Sequence, residues 1–288
     1  MNEQRVAVIT GASAGMGLVA AKALAAQGWR IIALGRDPQR CAAGEAEIRA
    51  AAAPGVDVSM IRADLALMAE AVRAAKEIAA KTNRIDVLIN NAGGAAKEKA
   101  ITAEGNEETF ASNHLGHFIL THRLLPLLRA AAAKSPAGAT RILSMSSAAH
   151  EVSPGLDFDD LQMMENFIPI KAYCNAKLAN ILFTRSLAKR LAGTGIVAHA
   201  VHPGAVNTNF VDRADAGTQA YLRSVPLLSA EEGADTIIWL VTAPEAGETS
   251  GDYWCQRKNV PASAAANDPA AAERLWRASE KLAAGFMD

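Results

Sequence analysis

The stretch VAVITGASAGMG, residues 6–17, decides the fold. Val6–Thr10 is a short apolar run without polar alternation, the pattern of a strand buried on both faces. Gly11, Gly15 and Gly17 follow, and Gly15–Gln27 continues with helical periodicity until Gly28. A strand that turns through glycine into a helix delivers free backbone N–H groups and the positive end of a helix dipole to one point. Glycine lets the chain turn tightly there and lets an anion approach without a Cβ in the way. The spacing is GxxxGxG rather than GxGxxG. Ordinary strand–helix turns also carry glycine, so the weight comes from the position directly after the first strand.

Outward from this unit, apolar runs and helical segments keep alternating. Arg30–Leu34 reads as the second strand, and Asp37-Pro38 as an N-cap and first helical residue. That helix runs into Ala53 and stops at Pro54-Gly55. Val56–Ile61 is the next strand, Leu67–Lys81 a helix, Ile85–Asn90 a strand, and residues 107–132 a long helical region containing Pro126. Thr140–Met145, a helix over 171–192, and Ile196–Val201 complete the pattern. Ser229-Ala-Glu-Glu232 has the capping-box signature and opens a helix to about Val241. A short strand near Asp252–Trp254 and a last helix from Asp268-Pro269 follow, the latter carrying Leu275, Trp276 and Leu282. Residues 148–170 and 203–228 read as irregular. Neither a linker nor an internal repeat interrupts the chain. This predicts an α/β fold: a single-domain Rossmann-type, doubly wound parallel sheet of about seven strands, order 3-2-1-4-5-6-7, with helices on both faces and ligands beyond the strands' carboxyl ends.

The chain has 288 residues, half of them hydrophobic, and a formal net charge of −1. With no basic block, nucleic acid and charged membrane surfaces have no electrostatic attraction to it. Cys41, Cys174 and Cys255 are odd in number and far apart, which argues against a disulfide framework and fits a reducing, cytoplasmic location. Cys174 reads as a packing residue. The N-terminus MNEQRVAVITGAS enters a strand almost at once and lacks the form of a signal peptide. No window approaches the ~20 apolar residues of a membrane span. His114 and His117, and His199 and His202, lack a third ligand at a sensible position, so no metal is expected.

At the end of the second strand, Leu34-Gly35-Arg36-Asp37 should face an adenosine ribose. Arg36 suits a 2′-phosphate held bidentately, which favours NADP(H) over NAD(H). Asp37 as the ribose acceptor would reverse that preference, and the plain alternative is a surface Arg36 with Asp37 only a helix cap. Asp64 is placed to reach the adenine amino group, and Asn90-Asn91-Ala92-Gly93 to lie beside the cofactor riboses.

Tyr173 and Lys177, in YCNAK, stand four residues apart and share a helical face. A free phenol has a pKa of about 10, and a neighbouring ammonium lowers it by stabilising the phenolate. Such a phenol exchanges a proton with a substrate oxygen near neutral pH. A lone YxxxK is common by chance. This one follows a strand that ends Leu143-Ser-Met-Ser-Ser147, whose serine hydroxyl can bond the reacting oxygen, while Asn113 can hold a water that leads protons to solvent.

Taken together, TGASAGMG, NNAG, the asparagine of NHLGHF, SMSS, YCNAK and HPGAVNT resemble, in order and rough spacing, the short-chain dehydrogenase/reductase family over about residues 5–255. YCNAKLANILFTRSLAKRL, GRDPQRC and RILSMSSAAH are most similar to its retinol dehydrogenase-like and WW-domain oxidoreductase-like branch. The resemblance implies hydride transfer between a nicotinamide and a carbonyl or carbinol carbon. It implies Tyr173 as general acid/base, Lys177 as its modulator and ribose ligand, Ser147 rather than Ser146 as the carbonyl-orienting hydroxyl, and Asn113 as the end of a proton relay. It also places Gly11, Ser13, Ala14, Gly15, Met16 and Gly17 along the phosphates and Asp64, Leu65, Asn91, Ala92 and Gly93 at adenosine and ribose. Pro203, Gly204, Val206 and Thr208 would close over the nicotinamide. The resemblance implies a possible homodimer through two long helices, here 107–132 and 171–192, although some members with inserts are monomers.

The interval from Ser147 to Tyr173 is longer than in the shortest members, and the added segment should rim the substrate site. Phe158, Met163, Met164, Phe167 and Ile168 in it, with Phe210, Val211, Tyr221, Leu222 and Val225 in a lid-like 203–228, suggest a small, mainly apolar carbonyl or alcohol. Apart from Arg213 and Arg223, no cations face this region, which disfavours a polyanionic substrate. The competing reading is a non-catalytic NADP(H) sensor of the same fold. An epimerase or dehydratase would need more sequence after the sixth strand.

Overall fold

The computed structural model describes residues 4–207 and 216–287. Eight strands form one sheet. The elements run β1 (Val6–Thr10), α1 (Gly15–Ala26), β2 (Arg30–Gly35), α2 (Pro38–Ala51), β3 (Val58–Arg62), α3 (Met68–Lys81) and β4 (Val87–Asn90). Next comes a composite helix, α4, made of Glu108–Phe110, a π-helical turn at Ala111–Leu115, and Gly116–Ala132. Then follow β5 (Thr140–Met145), α5 (Pro169–Arg190), β6 (Ile196–His202), α6 (Ala216–Ser224), α7 (Ala230–Thr242), β7 (Tyr253–Cys255), β8 (Lys258–Asn259) and α8 (Pro269–Leu282).

The sheet order is 3-2-1-4-5-6-7-8. All pairs are parallel except the last. The expected seven strands are therefore present in the expected order, with an antiparallel edge strand added. Trp254 pairs with Asn259 and Cys255 with Lys258, leaving Gln256 and Arg257 as a two-residue loop. Both have positive φ, 49° and 60°, as a hairpin turn matched to strand twist requires. No glycine or asparagine announces this turn, so the sequence gives no sign of it.

Strand alternation builds the two cores. Val6, Val8, Ile32 and Leu34 face one layer with α3, α4, α5 and α8. Ala7, Ile9, Ile31 and Ala33 face the other with α1, α2 and α7. Ile9, Ile31 and Ile32 are fully buried, and each such side chain contributes about 1.5–3 kcal/mol of transfer free energy. Helix starts follow the predicted caps. Asp37 Oδ1 accepts from the Arg40 N–H at 2.8 Å. At α7 the Ser229 hydroxyl accepts from the Glu232 N–H, and the Glu232 carboxylate accepts from the Ser229 N–H.

Two segments expected to be irregular contain structure. Residues 148–152 form a 3₁₀ turn, and α6 lies inside 203–228. The last helix, α8, packs on α5 and reaches α4, the helices of the possible homodimer contact. Trp276 stacks on Phe183 with centroids 6.0 Å apart and meets Phe118 edge-on at 5.0 Å.

Candidate active site

The glycine loop does what its sequence implies. Gly11 and Gly15 have φ of 67° and 56°, left-handed conformations that other side chains rarely adopt. The residue before α1, Ala14, offers no side-chain cap, and the first turn of α1 has no acidic residue. Its N–H groups therefore remain as donors for an anion. They border a cleft of about 920 Å³ lined by Gly11, Ser13–Gly17, Gly35–Asp37, Asp64, Leu65 and Asn91–Gly94. An uncapped helix end, a glycine turn and a cleft of this size together fit a dinucleotide.

Asn113 and Lys177 stand behind Gly93 at one end of the cleft, although neither they nor Ser147 and Tyr173 line it. A Cβ placed on Gly93 would stand 2.4 Å from Asn113 Oδ1 and 3.6 Å from Lys177 Nζ. Asn113 lies in the π-helical turn and is fully buried. Its side chain clamps Gly94, accepting from the Gly94 N–H at 3.3 Å and donating to the Gly94 carbonyl at 2.8 Å. Lys177 Nζ donates to the Met145 carbonyl at 3.3 Å, at the end of β5. Ser147, just beyond β5, shares a side-chain hydrogen bond with Tyr173. Ser146 is buried and donates to the Lys177 backbone carbonyl at 2.8 Å.

The electrostatics differ from the simple expectation that Lys177 lowers Tyr173. Burial pushes the Tyr173 phenol well above its ordinary value, and the Ser147 hydrogen bond only partly offsets it. Lys177 Nζ sits 5.3 Å from the Tyr173 ring centroid. Burial also pulls Lys177 down, to about 8. In the chain by itself, desolvation outweighs the charge–phenol attraction at both residues.

At the adenosine end, Arg36 Nη1 lies 3.5 Å from Asp64 and 3.4 Å from Glu108. Asp64 also accepts from the Ala66 N–H at 3.1 Å. Asp37 points one oxygen into its cap of α2, and that backbone hydrogen bond keeps its carboxyl below the usual range. Val206 is buried, forms a bridge with Leu228, and would touch a Cβ on Gly233 at 2.6 Å, beside Met16 Sδ at 2.8 Å. Pro203 and Gly204 follow β6 and do not line the cleft, whereas Asn207 does. Thr208, Phe210, Val211 and Arg213 lie outside the described residues. Phe158 packs against the core beneath the Arg274 guanidinium, 4.2 Å away, and does not line the cleft.

Three residues of the site escaped the sequence reading. Arg40 lines the cleft beside Arg36; its signal was its place one turn into the helix that Asp37 caps. Thr10 Oγ1 accepts from the Asn91 and Ala92 N–H groups at 2.8 and 2.9 Å and bonds His117 Nε2 at 2.9 Å. His117 Nδ1 bonds the Asn113 carbonyl at 3.1 Å. A carbonyl only accepts, so Nδ1 carries the proton and Thr10 donates to Nε2. Burial holds His117 neutral, with its pKa down at about 4.

The short chain dehydrogenase family model matches residues 5–219. Human retinol dehydrogenase 12 is 37% identical over 280 residues, covering 96% of this chain and 86% of that protein. The Pseudomonas aeruginosa RhlG/NADP active-site complex superposes with a TM-score of 0.68 at 28% identity, over 86% of this chain and 93% of that one. The 3-ketoacyl-(acyl-carrier-protein) reductase of Brucella melitensis, complexed with NADH, gives 0.68 at 25% identity, over 88% and 96%. The loop, the cleft and these likenesses agree: the chain belongs to the short-chain dehydrogenases, nicotinamide-dependent oxidoreductases that interconvert alcohols and carbonyls.

Proposed function

We propose that this protein reduces a carbonyl, or oxidises the corresponding alcohol, on a small and mainly apolar substrate, using NADP(H) with Tyr173 as proton donor or acceptor. The observation that carries this is the grouping of Asn113 and Lys177 at Gly93, on the cleft's edge, with Tyr173 and its partner Ser147 beside Lys177. A bound nicotinamide supplies or takes the hydride. Tyr173 gives its proton to the substrate oxygen during reduction, and its raised pKa keeps it in the donating form at neutral pH. Ser147, whose oxygen also accepts from the Ala149 N–H at 3.2 Å, directs its hydroxyl hydrogen to the substrate oxygen and orients it. The commitment of Ser146 to the Lys177 carbonyl supports this choice of serine. Lys177 remains largely protonated at pH 7, so its charge favours the developing phenolate. Asn113 fixes the Gly94 backbone and so the floor of the site. Gly11, Ser13–Gly17, Asp64, Leu65 and Asn91–Gly93 would hold the dinucleotide, with Val206 and Met16 both standing over Gly233.

Arg36, with Arg40 beside it, supports NADP(H) over NAD(H), because the pair can neutralise a 2′-phosphate. Asp64 and Glu108 now share Arg36, so a phosphate must compete with two carboxylates. The half-buried Met163, Met164 and Phe167 support an apolar substrate. Three unbridged cysteines support a reducing, cytoplasmic location. The whole chain acts as one dinucleotide-binding and catalytic domain, with 148–170 as a substrate-site insert and 203–228 as a lid. The cover that α8 places on α4 and α5 supports a monomer over a homodimer through those helices.

Oxidation of NADPH and NADH against apolar aldehydes, ketones and quinones tests the reading. Turnover with NADPH preferred, and an Arg36→Ala change that erodes the preference, is expected. A parent that binds NADPH yet turns over nothing would make the protein a sensor.

A further inference from the structure

Ser147 and Tyr173 stand on different elements, and something must hold them in register. Ser147 follows β5, and Tyr173 projects from α5. Between them lies His150, fully buried and not used by the chemistry above. Its Nδ1 bonds the Ser147 carbonyl at 2.7 Å, and its backbone N–H donates to the same oxygen at 3.1 Å. Its Nε2 accepts from the Ser263 N–H at 3.1 Å. A carbonyl only accepts and an amide N–H only donates, so the ring is held as the Nδ1–H tautomer. The Tyr253 ring packs edge-to-face against it, centroids 4.9 Å apart.

The far anchor is itself fixed to α5. Asn267 Nδ2 donates to the Ala262 and Ser263 carbonyls at 2.8 and 3.0 Å. Arg185, on α5, donates to the Ala266 carbonyl at 2.5 Å and to Asn267 Oδ1. The contacts thus run from Ser147 through His150 and Ser263 to the helix that carries Tyr173 and Lys177. We propose that His150 is a positioning residue, through which the segment 262–267 braces Ser147 against Tyr173. The inference rests on the catalytic reading above.

The test compares full-length parent, His150→Phe and His150→Asn. Phenylalanine keeps the ring and its contact with Tyr253 but removes both nitrogens. Asparagine sets an amide N–H near Nδ1 and nothing near Nε2. With an aldehyde the parent reduces, His150→Phe should lower kcat by about tenfold or more, since small misplacements of a reacting group cost this much. NADPH affinity, measured by fluorescence titration, should stay within about twofold, which a general structural loss would not spare. His150→Asn, which keeps the Ser147 contact but severs the Ser263 link, should lower kcat nearly as far, again with NADPH affinity within about twofold. In hydrogen–deuterium exchange, peptides covering 144–153 and 260–267 should both lose protection in His150→Phe, and only the second in His150→Asn.

A His150→Phe enzyme with kcat within about twofold of the parent overturns the proposal. So does a His150→Asn enzyme that keeps kcat within about twofold while 260–267 is deprotected, or a joint loss of kcat and NADPH affinity in both variants. If His150→Phe does not fold, His150→Asn decides: lowered kcat with NADPH affinity retained and 260–267 deprotected supports the brace, and retained kcat with 260–267 deprotected refutes it. If the parent turns over no carbonyl, the catalytic reading fails, and exchange alone decides: unchanged protection of 144–153 in His150→Phe refutes the brace.

Discussion

Lys177 takes its ammonium into a place that removes most of its water. Its side chain is 5% exposed, and one carbonyl, that of Met145, accepts from Nζ at 3.3 Å. The folded chain therefore binds this proton less tightly than the unfolded chain, with the pKa falling from 10.5 to about 8. That difference corresponds to roughly 3 kcal/mol of cost to the folded state. The cost is present in full below pH 8, where both states are charged. Between about 8 and 10.5 the unfolded chain keeps a proton that the folded chain has released, so stability rises with pH across that window and the cost vanishes above it. Lys177→Met should thus be inactive yet more stable than the parent at pH 7. Its advantage in urea midpoint should shrink as the pH approaches 10; an advantage constant with pH would show that desolvation is not the cause. Tyr173→Phe should complement it, losing about 10²–10⁴-fold in kcat while NADPH binding persists. The pairing of residues 173 and 177 was legible because helical periodicity alone puts i and i+4 on one face. The balance between charge attraction and burial was not, because the desolvating walls come from β5, Asn113 and Gly93, which only the fold brings near.

At the level of elements, sequence reading succeeded where one signal repeated and failed where a single departure carried the information. Each apolar run followed by a helix predicts a parallel neighbour, so the order of seven strands followed. Asp37-Pro38 and Ser229–Glu232 marked helix starts that the structure shows hydrogen bond by hydrogen bond. The π-helical turn at Ala111–Leu115 had no such mark, although it is what sets Asn113 against Gly94. The β7–β8 hairpin is hidden for a similar reason. Gln256 and Arg257 take left-handed conformations without glycine because α7 holds the turn from outside. The Arg257 N–H donates to Thr236 Oγ1 at 3.2 Å, and its Nε donates to Asp235 at 2.7 Å. Among the described residues none holds Gln256 in this way, and asparagine tolerates its φ of 49° better. Gln256→Asn should therefore stabilise the protein by about 0.5 kcal/mol, read from the denaturant midpoint, with kcat unchanged. A destabilised variant would show that the glutamine side chain, rather than backbone strain, governs this turn.

Across the whole molecule, the terminal helix takes a position that a second subunit could otherwise fill. α8 is held by Leu275, Trp276 and Ser279, all buried, and by the Arg190–Glu273 ion pair at 2.9 Å. Ser279 Oγ accepts from His114 Nε2–H at 2.7 Å while donating to the Leu275 carbonyl. That bond reaches from α8 into the π-helical turn beside Asn113, so covering the helices and shaping the site share one contact. Trp276 is the chief anchor: besides Phe183 and Phe118 it packs under the Arg190 guanidinium, 4.1 Å from its ring. Replacing such a side chain with alanine costs about 3–5 kcal/mol. The parent is expected to sediment as a single 30.1 kDa chain. Trp276→Ala should melt about 10 °C lower and, with Phe118 and Phe183 uncovered, should associate as concentration rises. If the parent itself sediments as a dimer, α8 does not seal this face; if Trp276→Ala loses stability but stays monomeric, the helix stabilises the core without guarding against self-association.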